Sequence, residues 1–238
     1  YGDEHLGELM IEPEVLAKDV AWLDSQGMTV KIHATGDRAV RAALDAFEHA
    51  RNTNVVAGAM HEVSHAEMIH PDDLVRFDDL NVAAEMCPIL WYPGPAVDTM
   101  KITLGDRANY FWPVKSLTEA GALVFYGSDW PAVVPDTNPW PGIEAMVSRE
   151  DPYGKNPGKY WPEQAVDLKT ALRIFTINGA VAGKQEKTTG SLEAGKRADF
   201  IILENNIFEI PAAALSDVQV LQTFVDGEVV FQRVSAGE

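Results

Sequence analysis

The chain has 238 residues, 46% hydrophobic and 23% charged, with 36 acidic side chains against 19 Lys and Arg and a formal net charge of −17. This composition fits a globular protein with a sizeable core, one large α/β domain or two small ones by length, and a surface so acidic repels phosphate backbones, so no nucleic acid partner is expected. A single cysteine, Cys87, rules out an internal disulfide and a cysteine-rich zinc site, and with no apolar run near 18 residues and no secretory signal pattern a cytoplasmic location without a membrane partner is expected.

In chain order, Pro13 to Gln26 is predicted as a helix: Pro13 suits the first helical position, Leu16, Val20 and Leu23 recur on one face, and Gly27 is placed to end it. The run "MTVKIH" reads as a buried strand ending at His33, after which Asp37 is expected to cap a helix striped by Val40, Leu44 and Phe47. "VVAGAMHEVSH" reads as a second strand, Pro71 to Leu80 as a helix, "NVAAEM" as a third strand, Pro113 to Ala120 as a helix, and "ALVFYGSD" as a fourth strand ending near Asp129. Helices are expected over Asn138 to Arg149 and Asp167 to Ala182, separated by the Pro/Gly-rich loop "EDPYGKNPGKYWPE". From Gly190 the texture changes to turns and strands, with Asp226-Gly227 as a hairpin signal. Residues 1–189 are therefore expected to form a parallel βα domain and residues 190–238 a small β unit.

His61-Glu62-Val63-Ser64-His65 spells the H-E-x-x-H signature of zinc proteases, and Glu85 stands at a spacing that suits a third ligand. That chemistry needs a helix, because two histidines four apart meet one ion only on a shared helical face. The flanking valines, Gly58 and Pro71 favour a strand, in which the two rings would lie about 13 Å apart at roughly 3.3 Å per residue. The protease is thus the third-ranked reading.

His33, His65 and Asp129 each fall at the end of a predicted strand, where βα barrels keep their chemistry. Two imidazoles and a carboxylate suit Zn²⁺ or a similar divalent metal, with Asp129 as the base for a metal-activated water. Trp91 and Tyr92, in the loop after the third strand, and Trp130, beside Asp129, are candidate substrate-binding residues; packing of the loop aromatics against Trp112 is the competing reading. Asp37 and Arg38 are expected to brace the loop after His33, His70 to sit at a helix entry, and His49 to lie at the surface.

The blocks "IHATGDRAV", "SHAEMIHP", "GSDWP" with "NPWPGIEAMV", "FTINGA" and "GSLEAGKRADFIIL" resemble, in order, those of the metal-dependent amidohydrolases, specifically the amidohydrolase-3 group of YtcJ-like proteins and N-substituted formamide deformylases. The resemblance runs from about Leu9 to Phe231 and implies an α/β chain equivalent to the C-terminal half of a (β/α)8 TIM barrel, strands five to eight, followed by part of a β-sandwich. It implies hydrolysis of a carbon–nitrogen, non-peptide bond in a small amide-type substrate. It also implies metal binding by His33 after strand five, His65 after strand six and Asp129 after strand eight, and makes His61 a strand residue. The family's H-x-H pair after strand one has no counterpart here, and Glu62 and Ser64 stand where the family usually has Arg and Glu. The expected partner is accordingly a second copy or a complementary N-terminal half, and the rival to an active hydrolase is a catalytically silent half-barrel that self-associates.

Overall fold

The computed structural model describes residues 7–54, 58–88, 91–132, 134 and 136–234. Helix α1 (Pro13–Ser25) starts on a proline, whose missing N–H is no loss at that position, and buries Val20, Ala21 and Asp24. Strand β1 (Lys31–Ala34) leads into α2 (Asp37–Thr53), whose Val40, Ala43, Leu44, Phe47 and Ala50 form the buried stripe. The cap of α2 is Gly36, with Asp37 as its first helical residue, so the expected capping role of Asp37 is corrected.

Strand β2 (His61–His65) contains the entire H-E-x-x-H run, which removes the helix a zinc protease requires and overturns that reading. Residues 55–57, the start of the strand expected there, lie outside the described residues. The helix expected from Pro71 is a 3-10 turn over Pro71–Asp73 followed by the short α3 (Arg76–Asp79); His70 caps the turn by accepting the Asp72 amide proton. Strand β3 (Val82–Met86) comes next, then α4 (Pro95–Leu104), which the sequence reading does not include. Helix α5 (Val114–Glu119) and α6 (Trp140–Ser148) follow as expected, whereas strand β4 (Val124–Tyr126) stops three residues short of Asp129, where it was expected to end. The single helix predicted over Asp167 to Ala182 is divided at Thr176 (φ −132°, ψ −94°) into α7 (Leu168–Phe175) and α8 (Ile177–Ala182).

Strands β1 to β4 make one parallel sheet in sequential order, each step crossing through helical chain, as parallel neighbours require. The pleat sorts the side chains. Ala34, Val63, Val82, Ala84, Met86 and Val124 join the helices in the main core, whereas Lys31, His33, Glu62, Ser64 and Glu85 stand on the other face. Ala83 and Phe125 on that second face form a smaller cluster with Ala182 of α8. The helices of the main core thus cover one face, while the other carries polar groups toward β1 and β2 and a small apolar patch under α8 toward β4.

Strand β4 is an end strand, and Asn178 of α8 donates its side-chain amide to Val124 O at 2.8 Å. A carbonyl that a neighbouring strand would otherwise take is thereby satisfied. The C-terminal sheet is antiparallel, β5 (Phe200–Leu203), β6 (Val220–Val225) and β7 (Glu228–Gln232), with Asp226 (φ 51°) and Gly227 (φ 82°) making the hairpin turn expected of that pair. Between β5 and β6 the chain returns to the main core through Ile207, Leu215 and Val218, and the Ser216 amide donates to the buried Glu144 carboxylate at 2.7 Å. Among the described residues no helix is long and apolar enough to cross a membrane.

Candidate metal centre

His33 lies in β1 and His65 ends β2, and their rings meet edge to face with centroids 4.5 Å apart. The pairing register puts His65 level with Ala34, whose side chain is buried toward the helices. A left-handed backbone at His65 (φ 68°) and Ala66 (φ 44°) breaks that alternation and turns the ring toward His33. Such conformations cost about 1–3 kcal/mol each for residues with a Cβ and recur where a site needs a particular side-chain direction. Asp129, three residues beyond β4 and also left-handed (φ 55°), brings Oδ1 to 3.9 Å from His65 Nε2.

That separation is too long for a hydrogen bond, yet it lies within the roughly 4.2 Å that two donors can span when each is about 2.1 Å from one ion. The imidazole and carboxylate donors therefore fit a divalent metal in chemistry, with the His65–Asp129 pair at the wide end of the separation that one ion allows. Among the described residues, no group of three or more His, Cys, Asp or Glu side chains is already drawn together tightly enough to hold one.

A further carboxylate, absent from the sequence reading, belongs to the same cluster. Glu67 Oε1 is 3.9 Å from His65 Nδ1, and burial, aided by the negative charge of Asp129, pushes its carboxyl up to about 7. Its spacing, two residues after a candidate ligand that ends a strand, was the available signal. Glu67 and Met68 border an open cleft of about 420 Å³ that Met100, Phe111, Asp37 and Arg107 also line. Asp37 accepts two hydrogen bonds from Arg107 Nη2, each 2.9 Å, while Arg38 donates to Gly7 O at 3.0 Å. Both residues thus fasten the loop after His33 to other parts of the chain.

The aromatic candidates stand apart from this cleft. Trp91 is fully buried and stacks on Trp112, the packing that competed with a substrate role. Tyr92 faces Tyr153, and burial, followed by the neighbouring Tyr153 and Asp151, pushes its hydroxyl up to about 12. Trp130 is exposed beside Asp129. His61 is wholly buried and stacks on Phe47 with centroids 4.7 Å apart, away from His33 and His65.

Beneath the histidines, Lys31 Nζ is 2.8 Å from Glu85 Oε1 and 3.5 Å from Glu62 Oε2, and Ser64 donates its hydroxyl to Glu85 Oε2. Burial works to lower the Lys31 ammonium pKa, but Glu85 and then Glu62 outweigh it and raise the value. Glu85 is thus a partner of Lys31 and Ser64.

A parallel sheet with helical crossovers, and with histidines and carboxylates gathered where its strands end, is the layout of the βα metal-dependent hydrolases. The chain belongs to the Amidohydrolase family: the Amidohydro_3 family pattern matches residues 3–231. It is 30% identical over 222 residues to Protein LONG AFTER FAR-RED 3 of Arabidopsis thaliana, covering 93% of this chain and 37% of that protein. It is 30% identical over 210 residues to N-substituted formamide deformylase of Arthrobacter pascens, covering 88% of this chain and 38% of the relative. Among solved structures, an uncharacterized metal-dependent hydrolase from Pyrococcus horikoshii OT3 superposes with a TM-score of 0.68 at 28% identity, over 87% of this chain and 40% of the other. The chain spans less than half the length of each of these three proteins.

Proposed function

We propose that His33, His65 and Asp129 hold a divalent ion, zinc or one of similar ligand preference, and that the chain supplies this part of a site hydrolysing a carbon–nitrogen bond other than a peptide bond. The observation that carries the reading is the His65 Nε2 to Asp129 Oδ1 separation of 3.9 Å beside the adjoining His33 ring. When bound, the ion supplies Lewis acidity and lowers the pKa of a water toward about 7. Asp129, part-exposed at 28%, is placed to accept that proton, and the left-handed turns at His65 and Asp129 fix the directions of the two side chains. The cleft bordered by Glu67 is where we place the substrate. The formamide named in the Arthrobacter pascens relative points to small amides as the substrate class.

Metal content by plasma mass spectrometry, measured on the purified chain and on a His33→Ala, His65→Ala double variant, tests the assignment. Close to one zinc per chain, lost in the double variant, is expected. A metal-free chain, or equal metal in both proteins, would sink it.

A second polypeptide completing the site is the accompanying proposal, either another copy of this chain or a complementary N-terminal half. Its support is the exposure of Val229, Val230 and Phe231 on β7 together with the end-strand position of β1. A sedimentation experiment returning only monomer, with no binding of a hydrophobic dye, would count against the pairing.

A further inference from the structure

The two ring nitrogens of His65 face different carboxylates. Nε2 lies 3.9 Å from Asp129 Oδ1, and Nδ1 lies 3.9 Å from Glu67 Oε1. Among the described residues no hydrogen bond engages either ring nitrogen or the Glu67 carboxylate, and the two side chains are only 12% and 19% exposed. Ser64, the adjacent polar residue, gives its hydroxyl to Glu85 instead.

An imidazole that offers one nitrogen to an ion keeps an N–H on the other, and the acceptor of that N–H fixes which lone pair the ion meets. Asp129 stands on the Nε2 side, as a co-ligand would. Glu67 stands on the Nδ1 side, and its backbone is held from two directions. Its carbonyl accepts the Trp112 amide proton at 2.6 Å, while the next residue, Met68, donates its amide proton to Thr35 O at 2.9 Å and bridges to Phe111. Thr35 comes two residues after His33, so the segment carrying Glu67 is fastened to the segment carrying the other histidine. A movement of about 1 Å at the end of a flexible side chain converts the present separation into a charge-assisted hydrogen bond of about 2.8 Å.

We propose that Glu67 is a positioning residue for His65: it accepts the Nδ1 proton and so presents the Nε2 lone pair toward Asp129 and the ion. This role rests on the metal-binding reading of His33, His65 and Asp129, and the test separates the two.

Long-range proton–nitrogen spectra of the metal-free chain, at about pH 8.5, where free imidazole is neutral, identify the nitrogen of His65 that carries the proton. The His65 signals are assigned by their loss in His65→Ala. The proton is expected on Nδ1 in the wild type and in Glu67→Gln, whose amide oxygen still accepts, and on Nε2 in Glu67→Met. A wild-type ring protonated on Nε2, or a spectrum that Glu67→Met leaves unchanged, would overturn the proposal, and the wild-type spectrum decides even if Glu67→Met does not fold. Zinc affinity, read by competition with a chromophoric chelator, should fall about 10–100-fold in Glu67→Met and far less in Glu67→Gln. Equal losses in the two variants would make Glu67 a ligand in its own right and overturn the positioning role. A wild type that takes up no zinc would sink the metal reading, whereas contrary spectra with zinc still bound would sink the role of Glu67 alone.

Discussion

His61 Nε2 lies 3.0 Å from Asp24 Oδ1, both side chains are out of solvent, and the same imidazole accepts the Val30 amide proton at Nδ1, 3.1 Å away. With Nδ1 an acceptor, the neutral ring carries its proton on Nε2 and donates it to Asp24. Burial, with the Arg51 charge adding to it, pulls the His61 value below the ordinary 6.5, against the opposing pull of Asp24. The folded chain therefore binds this proton less readily than the unfolded chain. Its contribution to stability is complete above about pH 6.5 and is lost as pH falls through that value toward the lower folded pKa. Urea midpoints between pH 7.5 and 5 should show this decline, and His61→Gln should flatten it; parallel slopes in the two proteins would refute the assignment.

Gly58 makes the same node possible. A Cβ on it would lie 1.9 Å from Arg51 Nη1 and 2.1 Å from Asp24 Oδ1, and Arg51 is also committed to Ala59 O and Leu80 O. Gly58→Ala must separate a buried ion pair, so a loss of roughly 3 kcal/mol is expected in denaturant unfolding. A loss under about 0.5 kcal/mol, the range of ordinary surface changes, would show that the pair is not held as described.

On the sheet's polar face, a Cβ at Gly127 would come within 2.6 Å of Glu85 Oε1. Gly127→Ala should destabilise by about 1–3 kcal/mol in the wild type and by far less once Glu85→Ala has removed the obstacle. A double-mutant cycle reads the difference directly, and additive effects would dismiss the contact.

Cys87 is buried, and its thiol is pushed up to about 12, first by burial and then by the charges of Glu85, Asp129 and Glu67. Because the thiolate is the reactive form, aromatic disulfide reagents at pH 8 should label the native chain on the order of 100-fold more slowly than the urea-unfolded chain. Equal rates would mean that the thiol is accessible.

The parallel sheet was readable because β3 and β4 are short apolar runs and because the valines, Gly58 and Pro71 around His61 to His65 disfavour a helix, and the C-terminal hairpin because Asp226-Gly227 permits little besides a turn. Helix α4 escaped for a local reason. Val97, Thr99, Ile102 and Thr103 are β-branched and Ile102 is 86% exposed, so neither propensity nor an apolar stripe announces a helix. The interruption at Thr176 is equally silent in the sequence, since its hydroxyl bonds back to Leu172 O at 2.6 Å, as threonine also does inside unbroken helices. His33, His65 and Asp129 were singled out from their places near the predicted strand ends, whereas the turn that brings His65 to His33 depends on backbone angles no residue type there requires. Glu67 went unnoticed because its burial is created by segments distant in sequence, and Trp91 sits in the core for the same reason.

The double hydrogen bond between Arg107 and Asp37 has a consequence in time. Asp37 begins α2, and the residue that anchors it is made 70 positions later. During synthesis from the N-terminus, the loop after His33 leaves the ribosome before its fastening exists, and it stays unfastened until the segment after α4 has emerged and folded back. Arrested chains ending before and after residue 107 should therefore differ in how readily a protease cuts near residue 36, with protection arriving as a late step rather than growing with length.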